Sequence, residues 1–304
     1  MADKTLIEWS EATWNPITGC SLASPGCRNC YAMQLAGTRM KNHPSRAGLT
    51  HKVNGNHVWT GEVRFNEGWL DQPLRWSKPR MIFVCAHGDL FHEDVPDEWI
   101  DRVFAVMALC PQHTFQVLTK RSRRMRDYIR CGDGTCINIG VRHAIEAMGF
   151  DDIGPVGKAL PNVWLGVSAE NQRWLMQRAC DLVETPAAVR WLSYEPALGP
   201  LDIEPFVLPA SQWSAGWLVN YPFNYPQSQI DWVVCGGESG PKARPMQPAW
   251  ARSLRDQCAA AGVPFFFKQW GEWAFDDEGG GFKVGKRAAG RLLEGVEHNG
   301  MPHG

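Results

Sequence analysis

The feature that most constrains this chain is a regular alternation of short apolar runs with amphipathic helical segments. The runs lie at residues 81–85, 114–118, 163–167, 189–192, 231–235 and 264–267. Apolar residues at helical spacing follow several of them, over 98–110, 173–183 and 248–261, and a further helical segment is expected at 67–77. Nearly continuous apolar strands between amphipathic helices are typical of a parallel sheet that is covered on both faces.

With the opening segment at 12–18, the alternation gives about seven βα units. We therefore predict an α/β fold, a complete or partial parallel β/α (TIM-like) barrel that forms a single domain with loop insertions. The barrel is expected over residues 1–271 and a C-terminal cover or tail over 272–304. The insertions are expected near 41–66, 131–160 and 199–229.

Each predicted strand ends in a polar residue. These residues are Asp89, Lys120, Glu170, Glu195, Glu238 and Lys268. Since the site of a β/α barrel forms at the carboxyl ends of its strands, the pattern favours an enzyme over loops that are merely solvated. The candidate catalytic residues among them are Asp89, Glu170, Glu195 and Lys120. The three carboxylates can orient hydroxyl groups or act as general bases if they are partly desolvated. Structural ion pairs are the alternative interpretation.

Three cysteines near the N-terminus form the most specific motif. Cys20, Cys27 and Cys30 are separated by six residues and then by two, on a loop expected between a strand and a helix. Three thiolates without an obvious fourth ligand leave one coordination position of an iron–sulfur cluster open. A zinc ion would instead need a histidine such as His87 or His92, or a water, as its fourth ligand.

This loop resembles the active-site loop of radical S-adenosylmethionine enzymes. In that superfamily three cysteines hold a 4Fe-4S cluster whose fourth iron binds S-adenosylmethionine inside a β/α barrel. The superfamily usually spaces its cysteines by three residues and then two, and the Cys-x-x-Cys-aromatic end of that pattern is present here at Cys27, Cys30 and Tyr31.

The whole chain also resembles a phage and prophage family of unassigned function that is defined by the three-cysteine motif. The matching segments are 14–20, 88–92, 118–121, 165–168, 193–196, 236–240 and 266–271. Together the two resemblances imply a radical-SAM-like enzyme that cleaves S-adenosylmethionine reductively. They also imply an electron donor such as a flavodoxin or ferredoxin, and a nucleotide or nucleic acid as the first expectation for the substrate.

A glycine-rich loop follows the run at 231–235 and is predicted to bind a cofactor. Its residues are Gly236, Gly237, Glu238, Ser239 and, a few positions later, Arg244. Backbone N–H groups of such a loop suit a carboxylate or phosphate, and an arginine can clamp the same groups. A substrate contact and a plain tight turn are the alternatives.

A basic segment at 120–130, expected to be helical from Ser122 to Arg130, is the candidate contact for a nucleotide or nucleic acid. Lys120, Arg121, Arg123 and Arg124 are its first members. A solvated helix face is the structural alternative.

Composition limits the remaining possibilities. The net charge of −1 gives no overall attraction to nucleic acid or membrane, and no apolar run approaches the roughly 20 residues that a membrane helix needs. The opening residues show no signal-peptide pattern, so a cytoplasmic location is expected, in which the ten cysteines are thiols or metal ligands. Cys131 and Cys136 are a weaker candidate for a second metal, and Cys85 and Cys235 for a hydrogen-atom donor.

Two other functions remain open at this point. One is a zinc-dependent hydrolase with an activated water. The other is a non-enzymatic nucleic-acid-binding protein with a structural metal, whose aromatic side chains stack on bases.

Overall fold

The computed structural model describes residues 5, 7–130, 139–151, 159–214, 229–276 and 278–302. The chain divides into two compact units within one strand. The first unit comprises Met1–Gly166 with Thr185–Ala188, and the second comprises Val167–Glu184 with Val189–Gly304. The expected division at residue 271 stays a prediction.

The first unit contains eight strands and four helices among the described residues. They are β1 (Ala12–Trp14), β2 (Ile17–Thr18), α1 (Tyr31–Gly37), β3 (Thr50–Val53), β4 (Asn56–Trp59), β5 (Arg64–Phe65), β6 (Met81–Val84), α2 (Asp97–Ala108), β7 (Thr114–Thr119), α3 (Ser122–Arg130), α4 (Ile139–Ala147) and most of β8 (Val163–Ser168).

The second unit begins within β8 and ends at the C-terminus. Its further elements are α5 (Gln172–Val183), β9 (Val189–Tyr194), α6 (Glu204–Val207), β10 (Trp232–Gly236), α7 (Pro248–Ala261), β11 (Phe265–Gln269), β12 (Trp273–Phe275), β13 (Gly281–Lys283) and α8 (Lys286–Ala289).

Seven strands form one parallel sheet in the order β1-β6-β7-β8-β9-β10-β11. After β1, each neighbour in this order is the next long strand along the chain, and helices connect them, as in a partial β/α barrel. The predicted α/β fold class is therefore confirmed. The six apolar runs are all strands of this sheet, because residues that are buried on both faces must be apolar throughout.

The helix predictions are largely confirmed. Segment 122–130 is α3 and 248–261 is α7, as expected. The segment at 67–77 differs: it forms two separate 3-10 turns, Glu67–Trp69 and Pro73–Arg75. Pro73 has no backbone N–H to continue a helix from the preceding turn, so a new turn starts there.

The expected insertion at 41–66 forms three short strands in the first unit. β3 and β4 pair as a hairpin, and β5 pairs antiparallel with β2. In the second unit, β12 and β13 form another hairpin. The last described residues run along β11, where the N–H of Phe267 donates to the carbonyl of His298 over 2.9 Å, and so cover an edge strand.

Among the described residues, no helix has the length and apolar character needed to cross a bilayer.

Candidate functional site: a thiol loop and the polar strand ends

The cysteine loop lies between β2 and α1, as the sequence predicted. Gly19 bridges to Gly88 in parallel fashion just after β2, which ties the start of the loop to the end of β6. A 3-10 turn at Pro25–Cys27 then leads to Cys30, the residue that directly precedes α1. The three cysteines are thus placed on a short, hydrogen-bonded connection beside the carboxyl end of a sheet strand.

A small apolar cluster lies under this loop. It consists of Ala32, Met33, Ala36, Leu49 and Trp59, and Cys20 and Cys30 pack against it. Its members come from α1 and from the 41–66 segment. Burial of these side chains therefore fixes both ends of the loop.

The three thiols are half-buried and free of disulfides. Burial raises the pKa of Cys20 to about 12; Asp89 and the other two cysteines add to the effect, and Arg121 opposes it. Burial also raises the pKa of Cys30, with Cys27 adding to it, while the backbone at Met33 and the charge of Lys120 act in the opposite direction. A bound cation would oppose this effect of burial and favour the thiolate form of Cys20 and Cys30.

The donor atoms of this loop determine whether it fits a metal or cluster. Within the described part of the chain, no group of three or more His, Cys, Asp or Glu side chains is arranged to hold a metal ion. The donor chemistry nevertheless fits a thiolate-bound centre, because three soft ligands occur on one loop and Cys27 contributes to the raised pKa of both Cys20 and Cys30. Binding would require the loop to draw its sulfurs together.

Arg121 is the side chain that holds the cysteine loop. It is buried, and its Nη1 donates to Cys20 Sγ over 3.3 Å. Its Nη2 donates to the Ser21 carbonyl over 3.1 Å and to Ser21 Oγ over 2.7 Å, and its Nε faces the Glu93 carboxylate at 3.3 Å. The guanidinium group is therefore committed to the loop rather than to a phosphate ligand.

Asp89 orients Arg121 and joins the ends of β6 and β7. Its Oδ2 accepts from Arg121 Nη1 over 3.2 Å and from the Lys120 N–H over 3.2 Å. Its Oδ1 accepts from Thr119 Oγ1 over 2.7 Å and from the Phe91 N–H over 3.0 Å. With four donors on two oxygens, this carboxylate is suited to positioning rather than to proton transfer.

The two histidines considered as zinc ligands are engaged elsewhere. Nε2 of His92 lies 2.9 Å from Ser21 Oγ, and its Nδ1 accepts from the Asp94 N–H over 3.1 Å. Nδ1 of His87 lies 2.8 Å from Arg46 Nη2. To complete a zinc site with the cysteines, either histidine would have to give up these contacts.

Helix α3 carries its arginines mostly in ion pairs. Arg124 pairs with Asp97 and also donates to the Val95 carbonyl over 3.3 Å. The Nε of Arg123 lies 3.7 Å from an Asp127 oxygen, although 83% of the Arg123 side chain is exposed. Arg123 is thus the most accessible member of the predicted nucleic-acid contact.

In the second unit, Glu170 is a structural residue at the end of β8. It is fully buried, and its Oε2 lies 3.3 Å from Nη1 of Arg178, which also donates to the Ser168 carbonyl over 2.7 Å. Arg178 is buried as well and lies over the Trp174 ring. An ion pair so enclosed supports the structural alternative for Glu170.

The glycine loop brings Glu238 and Arg244 together. Glu238 is buried and accepts at Oε2 from both the backbone N–H and the Nε of Arg244, each over 2.9 Å, and at Oε1 from Nη2. The N–H of Gly237 donates to the Gln269 carbonyl over 2.9 Å, and Ser239 is half-buried. Two of the predicted cofactor contacts therefore bind each other, and one loop N–H is satisfied within the protein.

Glu195 and Lys268 form a more accessible pair at the ends of β9 and β11. Nζ of Lys268 lies 3.1 Å from Oε1 and 3.4 Å from Oε2 of Glu195, and the two side chains are 19% and 16% exposed. A Cβ atom on Gly236 would lie 2.4 Å from Oε1 of Glu195, so glycine at that position leaves room for the carboxylate.

The other cysteines of interest divide into two groups. Cys85 and Cys235 are buried, and burial raises the pKa of both thiols. Cys131 and Cys136 lie outside the described residues.

The matching family model spans nearly the whole chain, residues 4–302, and is described as a protein of unknown function, DUF5131. The chain belongs to the DUF5131 family. No curated protein and no solved structure matches it. Family membership therefore supplies no reaction, and the function of this DUF5131 protein is argued from its side chains.

Several residues with clear roles in the structure were missed by the sequence reasoning. Ser21 and Glu93 bind Arg121, and Arg178 binds Glu170. Arg178 follows Glu170 by eight residues on the next helix, a spacing that carries no local signal. Lys268 was recognised as a polar strand end but not as the partner of Glu195.

Proposed function

We propose that this protein is an iron–sulfur enzyme of the radical S-adenosylmethionine type. The observation that carries the proposal is a loop with three half-buried free thiols, beside which both neighbouring histidines are bound to other groups. Such a donor set offers three ligands and leaves a fourth position for a second molecule. Cys20, Cys27 and Cys30 would hold a 4Fe-4S cluster, which when bound supplies one-electron chemistry toward S-adenosylmethionine.

The protein's own residues support this role by placing positive charge around the loop. Arg121 donates to Cys20 Sγ, and the charge of Lys120 lowers the pKa of Cys30 against the effect of burial. Both effects favour thiolates. Asp89 fixes Arg121 through its carboxylate. Asp89 and Arg121 are positioning residues in this proposal, and the cysteines are the ligands.

A nucleotide or nucleic acid is the proposed substrate class. The exposed side chain of Arg123 on α3 supports it, since an accessible guanidinium group can meet a phosphate. Arg121 is assigned to the loop instead, because its donors are already used there.

Anaerobic reconstitution with iron and sulfide tests the cluster. We expect a brown protein with about four irons per chain. Cys20→Ala, Cys27→Ala and Cys30→Ala should each lose that iron, whereas Cys110→Ala, which removes a fully buried thiol of the same unit, should keep it. Colourless protein with one zinc would contradict the proposal and favour a zinc hydrolase or a structural metal.

The reaction class needs a second measurement on the loaded protein. Dithionite and S-adenosylmethionine should release 5′-deoxyadenosine from wild-type protein but not from the cysteine variants. A fully loaded cluster that releases none would contradict the radical mechanism while leaving the iron site intact.

A further inference from the structure

The polar strand ends of the second unit differ in how much hydrogen-bonding capacity they have left. The Glu238 carboxylate accepts three hydrogen bonds from Arg244, and Glu170 is fully enclosed with Arg178. Among the described residues, the Glu195 carboxylate has as polar partners Lys268 and, at 3.5 Å, Ser193 Oγ. A carboxylate has about four acceptor positions and an ammonium three donors, so both members of this pair can bind a further group.

A second observation comes from Gln269, the residue after Lys268. It is 6% exposed, its Nε2 donates to the Gly237 carbonyl over 3.3 Å, and it pairs in register with Gly236, the residue that makes room for Glu195. Its Oε1 is buried and has no hydrogen-bond donor in the described chain. A buried amide oxygen without a donor is uncommon, and the ammonium group of a ligand at this edge of the sheet would supply one.

We propose that Glu195 and Lys268 bind a ligand with an α-amino-carboxylate group. The adjacent charges offer a cation to the ligand's carboxylate and an anion to its ammonium. In an α-amino acid those two groups are attached to one carbon, so a single ligand can meet both. Charge-assisted hydrogen bonds of this kind are roughly twice as strong as neutral ones, which favours a zwitterion over a neutral base or amide.

The site lies wholly in the second unit and its existence does not depend on the thiol loop. The inference rests on the proposed function only for the identity of the amino acid, which is the methionyl part of S-adenosylmethionine. It moves the expected ligand contact from Glu238 and Arg244, which bind each other, to Glu195 and Lys268.

Calorimetric titration of the full chain with three probes tests the proposal without any iron. The probes are L-methionine, L-methioninol (ammonium only) and 3-(methylthio)propionate (carboxylate only). Wild-type protein should bind methionine at least about tenfold more tightly than either single-charge probe. Glu195→Gln should weaken methionine and methioninol but not the propionate; Lys268→Met should weaken methionine and the propionate but not methioninol.

The exposed pair Arg255 and Glu294 of the same unit provides matched controls. Arg255→Met and Glu294→Gln make the same charge changes and should leave all three affinities unchanged. Circular dichroism would establish that each variant is folded. Equal affinity for the three probes, absence of binding, or loss of binding in the control variants would overturn the site, whereas failure of iron loading would overturn only the proposed function.

Discussion

Arg121 and Cys20 are 101 residues apart in the chain, and the guanidinium Nη1 of the first donates to the sulfur of the second over 3.3 Å. The same nitrogen lies 3.2 Å from Oδ2 of Asp89. A residue at the start of α3 thereby links the thiol loop to the ends of β6 and β7. The loop and the sheet are accordingly expected to respond together to changes at Arg121.

Replacing Arg121 by methionine should strongly destabilise the protein. Arg121 and Asp89 side chains are only 5% and 7% exposed, so the variant leaves a buried carboxylate without its cation. We expect the free energy of unfolding to fall by about 3–5 kcal/mol in urea denaturation. The control Arg124→Met breaks an exposed pair with Asp97 and should cost at most about 1 kcal/mol. If Arg121→Met combined with Asp89→Asn loses as much as the two single changes added, the pair is not coupled as described.

Alanine at the two adjacent glycines of the second unit should have different effects. At Gly237 a Cβ would lie 2.0 Å from the carbonyl oxygen of Trp270, so the backbone must shift and we expect a loss of about 1–3 kcal/mol. At Gly236 the nearest atoms belong to the flexible side chain of Glu195. Gly236→Ala should therefore lower the free energy of unfolding by less than about 1 kcal/mol while displacing that carboxylate. Gly68→Ala, which meets no atom within 4 Å, is the control for urea denaturation. A larger cost at Gly236 than at Gly237 would refute this account.

The carboxylates Glu238 and Glu195 should differ in their contribution to stability. Glu238→Gln removes the charge from the buried carboxylate that accepts hydrogen bonds from Arg244. We expect the free energy of unfolding to fall by about 1–3 kcal/mol in thermal or urea unfolding. Glu195→Gln breaks a partly exposed pair and should change stability by at most about 1 kcal/mol. The reverse order would mean that Glu195, and not Glu238, is the structural residue.

His87 should make the protein sensitive to acid. Burial, with a smaller effect of Arg46, lowers the pKa of His87 from 6.5 to about 4. The folded state binds this proton less readily than the unfolded chain does. The contribution of neutral His87 to the free energy of unfolding is therefore fully present above pH 6.5 and is lost as the pH falls from 6.5 through 4. In wild-type protein, His87 should account for up to about 3 kcal/mol of the fall in the free energy of unfolding over that pH range, and His87→Gln should abolish that part of the fall.

Urea denaturation of wild-type and variant protein from pH 7 to pH 4 measures this difference. The difference is the quantity to compare, because burial also lowers the pKa of His92 and of His113, which remain in both proteins. His51→Gln removes an exposed histidine and should leave the profile as it is. Parallel profiles for wild-type and His87→Gln would show that His87 is not neutral in the fold.

The strands of the parallel sheet and most of the helices between them could be predicted from the sequence because their signals are local. Segment 122–130 alternates charged and apolar residues at helical spacing and forms α3 over those same residues. The pairing of Glu238 with Arg244 was also within reach, since only six positions separate them in one loop. By contrast, Cys20 and Arg121 are brought together by the sheet, and nothing near either residue indicates the other.

The sequence also could not predict which strand-end carboxylates are enclosed in ion pairs within the protein and which can still accept a hydrogen bond. Glu170 and Glu195 both follow apolar strands. Their difference depends on burial and on which cation reaches them, Arg178 for one and Lys268 for the other. Such properties are set by packing between distant segments.

The short hairpin of β3 and β4 has a consequence for shortened versions of the chain. Leu49, which precedes that hairpin, and Trp59, its last residue, belong to the apolar cluster against which Cys20 and Cys30 pack. Deleting residues 41–66 would therefore remove part of the apolar cluster that the cysteines pack against, while sparing every strand of the seven-stranded sheet. A truncated protein of this kind should still fold the seven-stranded sheet yet fail to organise its thiols, so the segment belongs with the proposed metal site rather than with loops that can be removed.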